Sequence, residues 1–167
     1  MSIEKQAKKI LEDFEYLMDK PASISGKYHT GETFRDHLER CASIMRHLCD
    51  EFKIPEWDRD MLVACAYLHD IGNYFITFPW RVRLPQWKYF KESGCSRVRV
   101  LHSLHPLLSA MILDEYNIER KKEIQEIIST HMSHWYPHME QPHTFYQKLL
   151  CIADYLSTRK DLFGYIG

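Results

Sequence analysis

Six stretches of this chain repeat apolar side chains every three or four residues, and none alternates apolar and polar with period two. A half-buried strand must alternate and an amphipathic helix must repeat near 3.6, so the pattern restricts the chain to helices. The first stretch, about 2–18, carries Ile3, Ala7, Ile10, Leu11, Phe14, Leu17 and Met18 behind a capping Ser2. Pro21 and Gly26 bracket a loop. Thr30-Gly31-Glu32-Thr33 leads into a second helix striped with Phe34, Cys41, Ile44, Leu48 and Phe52, and His37 lies on that stripe. Pro55 starts a third, running to His69 with Trp57, Met61, Leu62, Cys65 and Leu68 inward. A fourth covers about 101–116, with Leu101, Leu104, His105, Leu108, Met111 and Ile112 on one face. The fifth, about 120–135, sets Ile124, Ile127, Ile128, His131, Met132 and Trp135 in register. The last, about 144–159, is capped by His143-Thr144 and turns Phe145, Leu149, Ile152, Ala153 and Leu156 inward, with Asp154 beside them. The expected fold class is all-α, a bundle of five to seven helices forming one domain over 1–167.

Between Asn73 and Cys95 the period fails, and the segment is basic and aromatic. From Arg81 to Arg99, six cations (Arg81, Arg83, Lys88, Lys91, Arg97, Arg99) face one acid, Glu92, in a chain of net charge −1. An irregular excursion of that length reads either as a solvated surface loop or as a lid over an anionic substrate. The near-neutral total offers no general attraction to nucleic acid. The longest apolar run, Met61 to Leu68, falls far short of the roughly 20 residues that span a bilayer. Five cysteines, Cys41, Cys49, Cys65, Cys95 and Cys151, are odd in number and lack a C-x-x-C pair. They read as small core residues in a reducing compartment, so the expectation is a cytoplasmic protein without a membrane partner.

Polar groups with metal-ligand chemistry fall where the pattern demands apolar ones. His37, His105 and His131 interrupt apolar faces, His69-Asp70 ends a buried helix, and Asp154 borders the inner face of another. Burying such groups unpartnered costs several kcal/mol each, so they require hydrogen bonds, ion pairs or a metal. One or two cations would satisfy all six. Neighbouring residues on a helix diverge by about 100°, so His69 and Asp70 can share an ion only where the helix ends, and Gly72 is expected to supply that turn through a positive φ.

The pattern resembles the HD-domain metal-dependent phosphohydrolase superfamily: a histidine on one helix, an adjacent His-Asp, and a late aspartate, here His37, His69-Asp70 and Asp154. His69 follows His37 by 32 positions and Asp154 follows Asp70 by 84. Members with two metals add two histidines between signature and aspartate, and His105 and His131 fit those places. The likeness covers roughly 30–160. Segments His131-Met132-Ser133-His134-Trp135 and Ala153-Asp154-Tyr155-Leu156-Ser157-Thr158-Arg159-Lys160 are similar to small single-domain bacterial and phage members, and the Ala-Asp-Tyr end is similar to HD-type diadenosine tetraphosphate hydrolases. Asn73 stands where many relatives have lysine. His102 is an alternative to His105 and His134 to His131, each one turn away. His29 is read as a loop residue, and His47, His138 and His143 as surface or capping residues.

The resemblance implies hydrolysis of a phosphoester or phosphoanhydride of a nucleotide or dinucleotide, with Asp70 and His69 as catalytic residues. His37, His69, Asp70, His105, His131 and Asp154 would hold two divalent ions. Carboxylate and imidazole donors favour Fe or Mn, with Mg, Ni, Co and Zn as alternatives. Arg81, Arg83, Arg97, Arg99 and Arg159 are the candidates for substrate phosphates, and Glu32 or Lys160 for proton transfer. Competing readings are a nuclease or cyclic-nucleotide phosphodiesterase, a di-iron oxygenase hinted at by Tyr28 and Glu32, and a metal-retaining nucleotide-binding module. The expected partners are a small phosphorylated substrate, nucleic acid in the nuclease reading, and a second copy in a homodimer.

Overall fold

The computed structural model describes residues 1–22, 31–73 and 97–159, with backbone alone over 97–102. Six α-helices and no named strand occur among them: α1 (Ile3–Glu12), α2 (Phe34–Glu51), α3 (Glu56–Leu68), α4 (Arg97–Ile112), α5 (Lys121–Ile128) and α6 (Phe145–Ser157). The all-α expectation holds. Helix α3 is the one the others enclose, since every residue from Met61 to Leu68 is buried. A helix apolar all round must be covered all round, and α1, α2, α5 and α6 pack against it. Ala64, Cys65 and Ala66 keep its girth small enough for that. Helix α2 also packs on α6, and α4 on α5.

Local chemistry sets the helix starts. Thr33 and Thr144 cap α2 and α6 through reciprocal capping boxes with Asp36 and Gln147. Ahead of α2, the Ala22 N–H donates to the Glu32 carbonyl and that of Phe34 to the Lys20 carbonyl, so residues 20–22 pair with 32–34 and fix the entry to the helix. The first turn of α1 is held by tertiary contact: Asp60 of α3 accepts the N–H of Ile3 at 2.8 Å and of Glu4 at 2.9 Å. Losing two hydrogen bonds to a charged acceptor, Asp60→Ala is expected to cost about 2 kcal/mol. Thermal unfolding checks this, and a melting temperature within 1–2 °C of wild type, roughly the effect of half a kcal/mol at this size, contradicts it.

Several expected faces turn out differently. Trp57 is 55% exposed, with the Arg120 guanidinium stacked on its ring at 5.3 Å. Phe52 and Phe145 are also exposed and meet each other edge-on at 5.3 Å, so their apolar surface is shared between them and not given to the core. Ile152 points outward too. The first helix stops at Glu12, followed by a short 3₁₀ turn at Glu15–Leu17. Among the described residues helix α4 already includes Arg97, ahead of the expected Leu101, and it runs through Pro106, so Arg97 and Arg99 are helical. The basic aromatic segment 74–96, with Arg81, Arg83 and Cys95, lies outside the described residues, as do Gly26, Tyr28, His29 and Lys160. Cys41, Cys49 and Cys65 are buried free thiols, in keeping with their reading as core residues.

Helix α5 ends at Ile128, short of the 135 that periodicity suggests, and Trp135 is 57% exposed. The cause is His131. Its Nδ1 lies 2.7 Å from the Ile128 carbonyl, which a continuing helix would offer to the N–H four residues on. Gly72 is the other correction. Among the described glycines only Gly31 has positive φ, at 72°. A Cβ on Gly72 would stand 2.6 Å from the Ser109 nitrogen and 2.8 Å from the His105 carbonyl oxygen. Glycine is needed there so that α4 can approach the turn after α3, and not for a left-handed conformation.

Candidate metal centre

Five segments deliver the six polar groups to one buried place. His37 comes from the first turn of α2, and His69 and Asp70 from the turn that closes α3. Buried positions of α4 and α6 supply His105 and Asp154, and the turn after α5 supplies His131. Helix α3 stops at Leu68 partly because His69 Nδ1 engages the Ala66 carbonyl at 2.6 Å, the same self-capping that ends α5 at His131. With the backbone turning there, the His69 and Asp70 side chains converge, and His69 Nε2 lies 3.4 Å from Asp70 Oδ2.

The two oxygens of Asp70 face different groups. Oδ2 lies 2.9 Å from His37 Nε2, which is 3.2 Å from His69 Nε2 and 3.3 Å from Asp154 Oδ1. Oδ1 lies 3.0 Å from His105 Nε2 and 3.2 Å from His131 Nε2, and those two nitrogens are 2.9 Å apart. The result is a four-residue group (His37, His69, Asp70, Asp154) and a three-residue group (Asp70, His105, His131), each compact enough to hold one ion and joined by Asp70.

The hydrogen bonding behind the rings tests whether ions fit. A carbonyl only accepts, so His69 and His131 must donate Nδ1–H to Ala66 and Ile128. Their Nε2 atoms then present lone pairs inward, the tautomer that ligates metal. Lone pairs and carboxylate oxygens crowded to 2.9–3.4 Å repel one another unless positive charge lies among them. Protons can supply part of it. Burial pushes the His37 pKa down, but the hydrogen-bonded carboxylates of Asp154 and Asp70 outweigh burial and raise it to about 10. His69 is raised on the same balance, chiefly by Asp70 against burial. Burial also opposes ionisation of Asp70 and Asp154, yet the surrounding imidazoles hold both carboxyls well below the usual range. His131 goes the other way, lowered by burial that its bond to Asp70 does not offset. Nitrogen and oxygen donors of this kind suit a divalent transition ion.

A family model described as HD domain matches residues 34–159. The chain belongs to the HD-domain family. A search of curated proteins and one of solved structures each found no match. The HD-domain superfamily consists in general of metal-dependent phosphohydrolases, and the buried His/Asp groups of this HD domain have the composition and spacing of metal-ion sites. No helix among the described residues is long and apolar enough to cross a membrane.

All six expected ligands are brought together. His134, the alternative to His131, is exposed and outside both groups, and the His102 side chain is not among those described. His47, His138 and His143 are exposed, as expected of surface residues. Arg159 follows α6 and reaches the Tyr155 hydroxyl at 3.4 Å. Glu32 is buried, and its carboxylate pairs with Arg40. Periodicity missed Arg40 and Ser157, which stand behind His37. Ser157 lies three residues past Asp154, on the same face of α6, and that spacing was the available signal.

Proposed function

We propose that this HD domain is a metal-dependent phosphohydrolase cleaving a phosphoester or phosphoanhydride bond of a nucleotide or dinucleotide. The observation that supports it is the two-sided Asp70 carboxylate, with Oδ2 toward His37 and Oδ1 toward His105 and His131. Two ions fit those donor sets, Fe²⁺ or Mn²⁺ before Zn²⁺, because a mixed imidazole–carboxylate set suits open octahedral coordination better than a closed tetrahedron. Bound there, divalent ions lower the pKa of a water molecule and neutralise phosphoryl oxygens. Asp70 sets the separation of the two positions, and His69 and His131 are locked in ligating orientation by their own helix ends. Substrate phosphates fall to the arginines: Arg97 and Arg99 on α4, Arg159 after α6, and Arg81 and Arg83 from the segment between α3 and α4. Guanidinium groups suit this because they stay charged and bind phosphate oxygens in pairs.

Elemental analysis of protein purified without added metal, followed by a screen of mononucleotides and dinucleoside polyphosphates with oxygen uptake as control, tests the reading. About two equivalents of iron or manganese and metal-dependent release of phosphate or nucleotide are expected. No metal after reconstitution, or oxygen consumption without hydrolysis, overturns it. Ion uptake must also displace the proton that His37 holds below a pKa of about 10. Affinity is therefore expected to climb as pH rises from 6 to 9, with protons released in calorimetry run in buffers of different ionisation enthalpy.

A further inference from the structure

We infer that Ser157, clamped by Arg40 and Glu32, is a positioning residue that selects the nitrogen through which His37 binds its ion. The inference rests on the metal-centre reading above and concerns the four-residue group alone. Three imidazoles of the centre, His37, His69 and His131, solve the same problem in two ways. His69 and His131 follow helix ends, so each finds a carbonyl three residues back in its own chain, Ala66 and Ile128. His37 lies inside the first turn of α2, where the backbone carbonyls already serve the helix ladder. Its Nδ1 must be partnered from outside, and α6 supplies the Ser157 hydroxyl at 3.1 Å.

The direction of that hydrogen bond follows from the next one. Ser157 Oγ lies 2.6 Å from the Asp154 carbonyl, which can only accept, so the single hydroxyl proton points there. The hydroxyl oxygen is left to accept Nδ1–H of His37, which aims Nε2 at Asp70, Asp154 and His69 and makes it the nitrogen whose proton an ion would displace. Ser157 is itself held. Its carbonyl, at the C-terminal end of α6, accepts from the Arg40 guanidinium at 3.2 Å, a cation placed favourably at a helix C-terminus. Arg40 in turn pairs with the buried Glu32 carboxylate. Breaking such a pair leaves a buried charge, so Glu32 and Arg40 act as a unit. Glu32, Arg40, Ser157 and His37 thus form one connected path, which enters the centre at His37 in the four-residue group.

Metal binding to wild type, Ser157→Ala and the double variant Glu32→Gln/Arg40→Met tests this, with Mn²⁺ for stoichiometry and affinity and diamagnetic Zn²⁺ for imidazole ¹⁵N shifts. In Ser157→Ala one ion is expected to weaken by roughly 10–100-fold, the usual effect of removing a ligand's outer partner, while the other is unchanged. The His37 signals should lose the single pattern of protonated Nδ1 and ligated Nε2. Circular dichroism checks folding. Should Ser157→Ala not fold, the double variant is read in its place, with a smaller loss confined to the same ion. Unchanged affinity for both ions, an equal fall for both, or an intact His37 tautomer overturns the inference while leaving the hydrolase reading standing. A wild type that binds no ion overturns both.

Discussion

Asp70→Ala is expected to leave at most one ion bound and to reduce hydrolysis to background. The three-residue group depends on Asp70 Oδ1 for its only carboxylate, so without it His105 and His131 are what remains of that group among the described residues. The four-residue group keeps His37, His69 and Asp154, a set still able to hold one ion. Loss of the bridging carboxylate therefore separates the two positions in occupancy. Because lowering a water pKa by many units is what the ions would contribute in the proposed hydrolysis, a drop on the order of 10³-fold or more in kcat/KM is expected. Asp70→Asn preserves volume and tests whether charge or shape is responsible, and it should fail in the same way. The helical fold should survive both changes, since the Asp70 main chain, which accepts the Asn73 N–H at 3.0 Å, is untouched. Two ions bound by Asp70→Ala, or full activity on any phosphoester, would refute the bridging role.

The second large effect is expected at Gly72. Alanine there places a Cβ 2.6 Å from the Ser109 nitrogen and 2.8 Å from both the His105 carbonyl oxygen and Leu108 Cβ. Two of the three are backbone atoms of α4 and cannot rotate away, so the helix itself must move. Overpacking of this kind costs about 1–3 kcal/mol, and each kcal/mol lowers the melting temperature of a domain this size by about 2–4 °C. Displacing α4 also strains the hydrogen bond from the Gly72 N–H to Ser109 Oγ, now 2.9 Å, and carries His105 away from Asp70 Oδ1. Gly72→Ala should therefore lose the ion of the three-residue group before the other. Calorimetry and elemental analysis read both effects. An unchanged melting temperature with two ions retained would show that the close approach of α4 is not needed.

The apolar period alone determined the helical class, because a strand cannot satisfy a repeat near 3.6, and Thr33 and Thr144 marked where α2 and α6 begin. The six candidate ligands were legible for a different reason: His37, His105 and His131 stood at positions that should have been apolar, His69-Asp70 closed a buried helix, and Asp154 bordered the inner face of another. What the sequence could not show was how side chains compete with backbone. Periodicity carried α5 on to Trp135, whereas the His131 imidazole takes the Ile128 carbonyl and stops the helix, and that same act aims Nε2 at Asp70. Exposure of Trp57, Phe52 and Phe145 depended on which distant groups reach them, Arg120 for the first and each other for the last two, which no single stretch records. Gly72 was legible as necessary but for the wrong cause, since conformational freedom is a local property and room for α4 belongs to a neighbour 37 residues away. The two faces of Asp70, and the path from Glu32 through Arg40 and Ser157 to His37, were likewise decided only by tertiary structure. Apart from the Glu32–Arg40 pair, each link joins groups far apart in the chain, and hydrogen-bond direction has meaning only once both ends are in place.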